Sequence, residues 1–196
     1  MKLALIKLKM ALLAAIFISS SAFGAVHLTL GGSHSQSNAG YQKVESGAGS
    51  AALSLDLGEY FRVGLTHREE LASTTGFHAV ASTNTYSYFK SRSNISSNGV
   101  DLTLVLYNGE IITPYVFCGV TQKHYVITTV EADGTTDHFD MTQPGPQAGM
   151  GLGIRLNQKF SLKISYTMSI GQTQIPGNPA QSATDTFTQI GLSYAL

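Results

Sequence analysis

Three groups of residues in this chain have the types that chemistry needs. The first is an acidic run with one imidazole: Glu131, Asp133, Asp137, His138 and Asp140. Carboxylates and histidine are metal ligands, but a calcium loop wants acids at alternate positions, a central glycine and a closing glutamate, and this spacing has none of that order. A solvated acidic hairpin tip is the reading it supports. The second group pairs histidine with serine or acid: Ser33-His34-Ser35, His67 with Glu69 and Glu70, and His124. Nucleophilic catalysis needs a base held against a nucleophile, and no fixed spacing here supplies one. The third is Tyr86, Tyr88, Phe89, Lys90 and Arg92, where aromatic faces lie beside cations. Such a cluster suits contact with a glycan, a protein or a charged lipid headgroup; a strand pair extending beyond a membrane is the competing reading.

The elements that position these groups begin after a targeting segment. Lys2, Lys7 and Lys9 precede the short apolar run Met10–Ile18, and Ala22-Phe23-Gly24 places small residues at −3 and −1 of a cut before Ala25. This is the grammar of a cleaved signal peptide, 1–24, ahead of one domain, 25–196. That domain has 196 − 24 = 172 residues, with nine Lys+Arg against twelve Asp+Glu after the three leader lysines are removed. A net charge of about −3 gives no basis for nucleic-acid binding. The single cysteine, Cys118, excludes an internal disulfide.

No helix-length apolar run follows Gly24. Period-two alternation is found instead. Leu53, Leu55 and Leu57 alternate with Ser54 and Asp56, and Phe61, Val63 and Leu65 with Arg62 and Gly64. From Phe160 to Ile170 the alternation holds for eleven residues, about the length of a tilted strand crossing a bilayer. Short turns centred on Gly58, Asn108 and Asn157 recur at steps of 50 and 49 residues. Adding terminal strands near Val26–Gly31 and Gln189–Leu196 gives eight, an even number that closes without an edge in lipid. The expected fold is all-β: an eight-stranded antiparallel up-and-down transmembrane barrel with short periplasmic turns and long extracellular loops.

In that barrel the first, second and fourth long connections would span about 32–49, 71–98 and 171–185, and the third would form a hairpin around Asp133-Gly134. Tyr60, Phe61, Tyr107, Phe160 and Tyr194 would form a periplasmic aromatic belt, with Tyr125 and Tyr41 at the outer one. The polar face, rich in Gly149, Gly151 and Gly153, would line a narrow lumen. Asp56, Arg62, Asp101, Arg155 and Lys163 would point into it and pair as a structural plug.

Two segments carry a family likeness. Gln189, Gly191, Tyr194 and Leu196 resemble the terminal-strand signal read by the outer-membrane barrel assembly machinery, with Leu196 where an aromatic residue is usual. Thr113-Pro114-Tyr115-Val116-Phe117-Cys118-Gly119 resembles a strand of small OmpA/OmpX-type barrels. The resemblance implies an outer membrane of the Gram-negative type and contact with its lipid and lipopolysaccharide, while the residue spacing calls for no cofactor or metal. The resemblance implies a class and not a reaction. The residues themselves point to a structural or surface-interaction role and not an enzyme, with loops that meet a surface protein, glycan or lipid and a lumen closed by its inward charges. The alternatives in such barrels are a narrow channel or a lipid A-modifying enzyme. Deacylases of that kind set His, Ser and an acid on lipid-facing strands, and His124 lacks a serine two residues on.

Overall fold

The structure is a computed structural model that describes residues 24–39, 42–80, 85–173 and 181–196. The signal-peptide reading of residues 1–23 and the outer-belt placement of Tyr41 fall outside them. Eight strands follow one another: β1 (Val26–Ala39), β2 (Gln42–Leu57), β3 (Phe61–Val80), β4 (Thr85–Val105), β5 (Ile112–Glu131), β6 (Thr136–Arg155), β7 (Phe160–Thr173) and β8 (Gln181–Ala195). Each pairs antiparallel with its neighbour, and β8 pairs with β1 to close the barrel.

The pairing fixes the tilt. Stepping across the register from Arg155 leads through Ser161, Ser193, Thr29, Ala52, Thr66, Gly99 and Thr121 to Gly145. One circuit therefore returns to β6 displaced by 155 − 145 = 10 residues. With ~3.3 Å per residue and ~4.8 Å between strands, a shear of ten over eight strands tilts them by about 40°. Each residue then climbs roughly 2.5 Å along the barrel axis.

Burial is inverted relative to a water-soluble sandwich. Leu30, Val100, Val120, Met150 and Ile190 are exposed on the outer wall, while Thr29, Thr103, Thr121, Thr167 and Ser193 are buried inside. An apolar exterior around a polar interior is stable only where the exterior solvent is hydrocarbon. Cys118 belongs to that exterior. Phe160 and Tyr194 pack with ring centroids 4.9 Å apart near the short turns, and Tyr60, Phe61 and Tyr107 are exposed there.

Within the described residues, the segments expected as long loops are instead strand. The β3–β4 ladder runs from Phe61↔Leu104 to Val80↔Thr85, and β1–β2 runs to Ala39↔Gln42. At roughly 2.5 Å per residue, the 21 residues of β4 rise about 50 Å, twice the ~25 Å apolar band of an outer-membrane barrel. Above the band both faces of a strand meet water, so the ladder persists while the apolar alternation that marks it in sequence disappears. The tip of the third hairpin matches expectation, with Gly134 at φ 86°. The β6–β7 ladder is short, ending at Gln147↔Ser169, and Pro144 and Pro146 stand directly above its end. Proline brings no N–H to a ladder, and both residues remain paired with β5 on their other side.

Candidate functional site

The described polar side chains of the lumen form two layers. The lower layer is built where β1, β2 and β3 leave the periplasmic turns. Arg62 Nε donates to Asp56 Oδ1 at 2.5 Å, and His27 Nε2 lies 2.8 Å from Asp56 Oδ2. Lys163 Nζ donates to Thr29 Oγ1 at 3.2 Å, and Thr29 donates to Ser193 at 3.0 Å. Asp101 fits against Gly64 and Gly119 and accepts from Thr103 at 3.4 Å. Of the five charged residues placed in the lumen by sequence, Asp56, Arg62, Asp101 and Lys163 share this interior. Arg155 does not. It is the last residue of β6, beside the turn to β7, and is exposed at the rim.

Tyr115 and Phe117 stand beside this layer, Phe117 in the register row of Thr103 and Arg62, and they lie opposite Gly151 and Gly149. A second layer follows that sequence reasoning missed. Lys123 Nζ donates to Ser169 at 2.6 Å and to Asp185 at 2.5 Å, and Tyr125 donates to Asp185 at 3.3 Å. Arg68 bridges to Glu70 at 2.8 Å and stacks 3.5 Å over the Phe187 ring. Gln189 also donates to Ser50, passing over Gly31 of the intervening β1. Tyr125 is thus an interior residue, not part of an outer belt, because its odd position on β5 points inward with Lys123. These residues were hidden because the sequence assigned Asp185 to a loop and ended β3 before Leu71. A cavity of about 150 Å³ is left between the layers, touching Arg62, Asp101, Lys123 and Lys163. Among the described residues, no buried side-chain N or O lacks a hydrogen-bond partner, as unpaired polar groups in such a space would be costly.

The aromatic-basic cluster sits on strand β4, not in a loop. Tyr88, Lys90 and Arg92 alternate on its outer wall, Phe89 occupies the opposite face, and the Tyr86 side chain lies outside the described residues. Tyr88 packs edge-on against Phe77 at 5.5 Å. Lys43 lies in the register row of Lys90, two strands away through Thr75. Lys43 also holds Glu45 at 2.6 Å, which keeps that carboxyl below its ordinary range through the hydrogen bond and the ammonium charge.

The remaining candidates are dispersed. His34 is exposed on β1. His67 bonds Asn98 at 2.9 Å and lies 3.4 Å from Glu69, whereas Glu70 points inward to Arg68. His124 bonds Thr142 at 2.9 Å and lies 3.5 Å from Asp140, and His138 meets Thr128 at 3.3 Å. Asp133 caps its own turn, accepting from the Thr135 N–H at 2.8 Å, which lowers its carboxyl pKa. Among the described residues no three His, Cys, Asp or Glu side chains come together as a metal site. On β8, Gln189 and Gly191 face inward, Tyr194 lies against Phe160, and Leu196 follows the strand end.

A closed barrel with lipid-facing aliphatics and a charged, hydrogen-bonded lumen defines a class, the small transmembrane β-barrels of outer membranes. Within it, the chain belongs to the outer membrane protein beta-barrel domain family, whose model matches residues 10–195. No curated protein sequence matches. Among solved structures it is similar to the N-terminal β-barrel domain of OprF from Pseudomonas aeruginosa, at 13% identity and TM-score 0.55, covering 88% of this chain and 97% of that one. Neisserial surface protein A is similar at 10% identity and TM-score 0.53, covering 87% and 98%. A major outer membrane protein of Thermus thermophilus gives 11% and 0.58, covering 88% and 100%. At these identities the likeness is one of fold. The protein is an outer membrane β-barrel, and its eight-stranded fold is that of the small OmpA/OmpX-type barrels.

Proposed function

We propose that this barrel is a non-enzymatic surface-interaction protein with a closed lumen, whose extracellular strand extension contacts an anionic glycan or glycolipid headgroup. The observation that carries the reading is the outer wall of β4, where Tyr88, Lys90 and Arg92 are displayed well beyond the length needed to cross the membrane. Cations on a rigid ladder cost little entropy to present, and an aromatic pair beside them offers a sugar a flat apolar face. The paired charges of both lumen layers support a plug. The kind of protein it resembles, a barrel domain and a surface protein, supports a role outside catalysis. Binding to a sulfated polysaccharide tests the reading, comparing refolded wild type with Lys90→Ala/Arg92→Ala. We expect at least a tenfold loss of affinity in the double variant; equal binding by the two proteins contradicts it.

A further inference from the structure

The outer wall carries polar groups where hydrocarbon should meet the protein. Counted from the periplasmic turns, β7 keeps apolar outward residues through Ile170, ten residues above Phe160. On β3 the first outward polar residue is His67, only six above Phe61, and on β4 it is Asn98, seven from Val105. At roughly 2.5 Å of rise per residue these stand about 15 and 18 Å up, inside a ~25 Å band. Polar side chains facing lipid are costly, so their presence there calls for a function.

Beside them runs a groove of about 530 Å³. Leu53, Leu65, Val100 and Val120 form its lower wall, and His67, Asn98 and Gln122 its upper one. The floor is low on β2 because the outward residue there, Ala51, is small. The groove crosses from β2 to β6, four strand spacings or roughly 19 Å, and climbs with the register row to Gln122 and Pro144 near the outer edge of the band. His67 Nδ1 bonds the Asn98 side-chain oxygen at 2.9 Å, which leaves the Asn98 amide nitrogen as a donor.

We propose that this groove binds one acyl chain of the acylated-sugar glycolipid of the outer leaflet. The chain lies along the leucine and valine wall. An ester or hydroxyl oxygen part way along it accepts from Asn98 and its neighbours. The occupant is a lipid because the wall faces the bilayer, and an outer-leaflet lipid because the groove opens toward the extracellular edge. A polar rim over an apolar floor matches a chain that carries oxygen within the hydrocarbon.

Native mass spectrometry of the refolded full chain tests this, with purified lipid A and phosphatidylethanolamine as separate probes. We expect wild type to retain one lipid A, and Ala51→Leu, which raises the floor, to cut its occupancy at least fivefold. The double variant His67→Leu/Asn98→Leu, which keeps the groove but removes its donors, should lose a similar amount. Heat-modifiable gel mobility confirms folding, and Ala51→Val replaces any Ala51→Leu that does not fold. Unchanged occupancy in the floor variants, equal retention of phosphatidylethanolamine, or no retained lipid overturns the proposal.

Discussion

The Phe117 ring occupies the space that a side chain at Gly149, its direct partner on the neighbouring strand, would fill. Tyr115 and Gly151 repeat the arrangement one step lower, and Asp101 fits against Gly64 and Gly119. A shear of ten leaves a narrow lumen, and the Phe117, Tyr115 and Asp101 side chains each take space that a glycine on a neighbouring strand leaves open. Gly149→Val should overpack this site and destabilise the barrel by ~1–3 kcal/mol in urea unfolding. Phe117→Ala in the same chain should restore part of that loss. The restoration is partial because the added Cβ also meets the Tyr166 backbone carbonyl.

The two partners of the upper ion pair are unequally buried. Lys123 has 8% of its side chain exposed and Asp185 46%. Removing the carboxylate strands a buried ammonium, whereas removing the ammonium leaves a carboxylate that water reaches. Asp185→Ala should therefore cost more than Lys123→Met. The difference should be on the order of 1–2 kcal/mol, below the full penalty for breaking a buried pair because Asp185 is half in water. Equal destabilisation would contradict the burial asymmetry.

Outside the membrane, Lys43 lowers the pKa of Glu45 from its ordinary 4.5. A carboxyl depressed in the folded state contributes stability above its unfolded pKa and loses it as pH falls through the folded value. Lys43→Ala should raise the Glu45 titration, followed by NMR in micelles, back toward its ordinary value. Because Glu45 is fully exposed, the global unfolding midpoint should barely move.

With both lumen layers paired, refolded protein in planar bilayers should show no steady conductance. Arg62→Ala/Lys123→Ala, which removes one cation from each layer, should raise channel activity. Steady nanosiemens channels in wild type would contradict the closed lumen.

How much of this the sequence disclosed depends on where each residue meets lipid. From Phe160 to Ile170 one face is in hydrocarbon and the other in the lumen, so alternation is sharp and β7 is legible. From Leu71 to Asn94 the outer face also meets polar surroundings. Ser and Thr then occupy both faces, and a continuous β3–β4 ladder reads as a loop. The lower lumen charges were legible because they flank short turns with strong alternation, as with Asp56 and Arg62. Arg155 was misplaced because parity gives a face and not a depth. Lys123 and Asp185 are separated by 62 residues and meet only after the barrel closes.

Strand β4 both crosses the membrane and continues far beyond it, and the display of Lys90 and Arg92 depends on that placement. Single cysteines placed along β4 in a Cys118→Ser chain, reacted with a membrane-impermeant maleimide on intact cells, test it most directly. Labelling at positions 90, 92 and 94 with protection at 102 and 104 is the predicted result. Protection at 90 to 94, or equal labelling at 102 and 104, would contradict it.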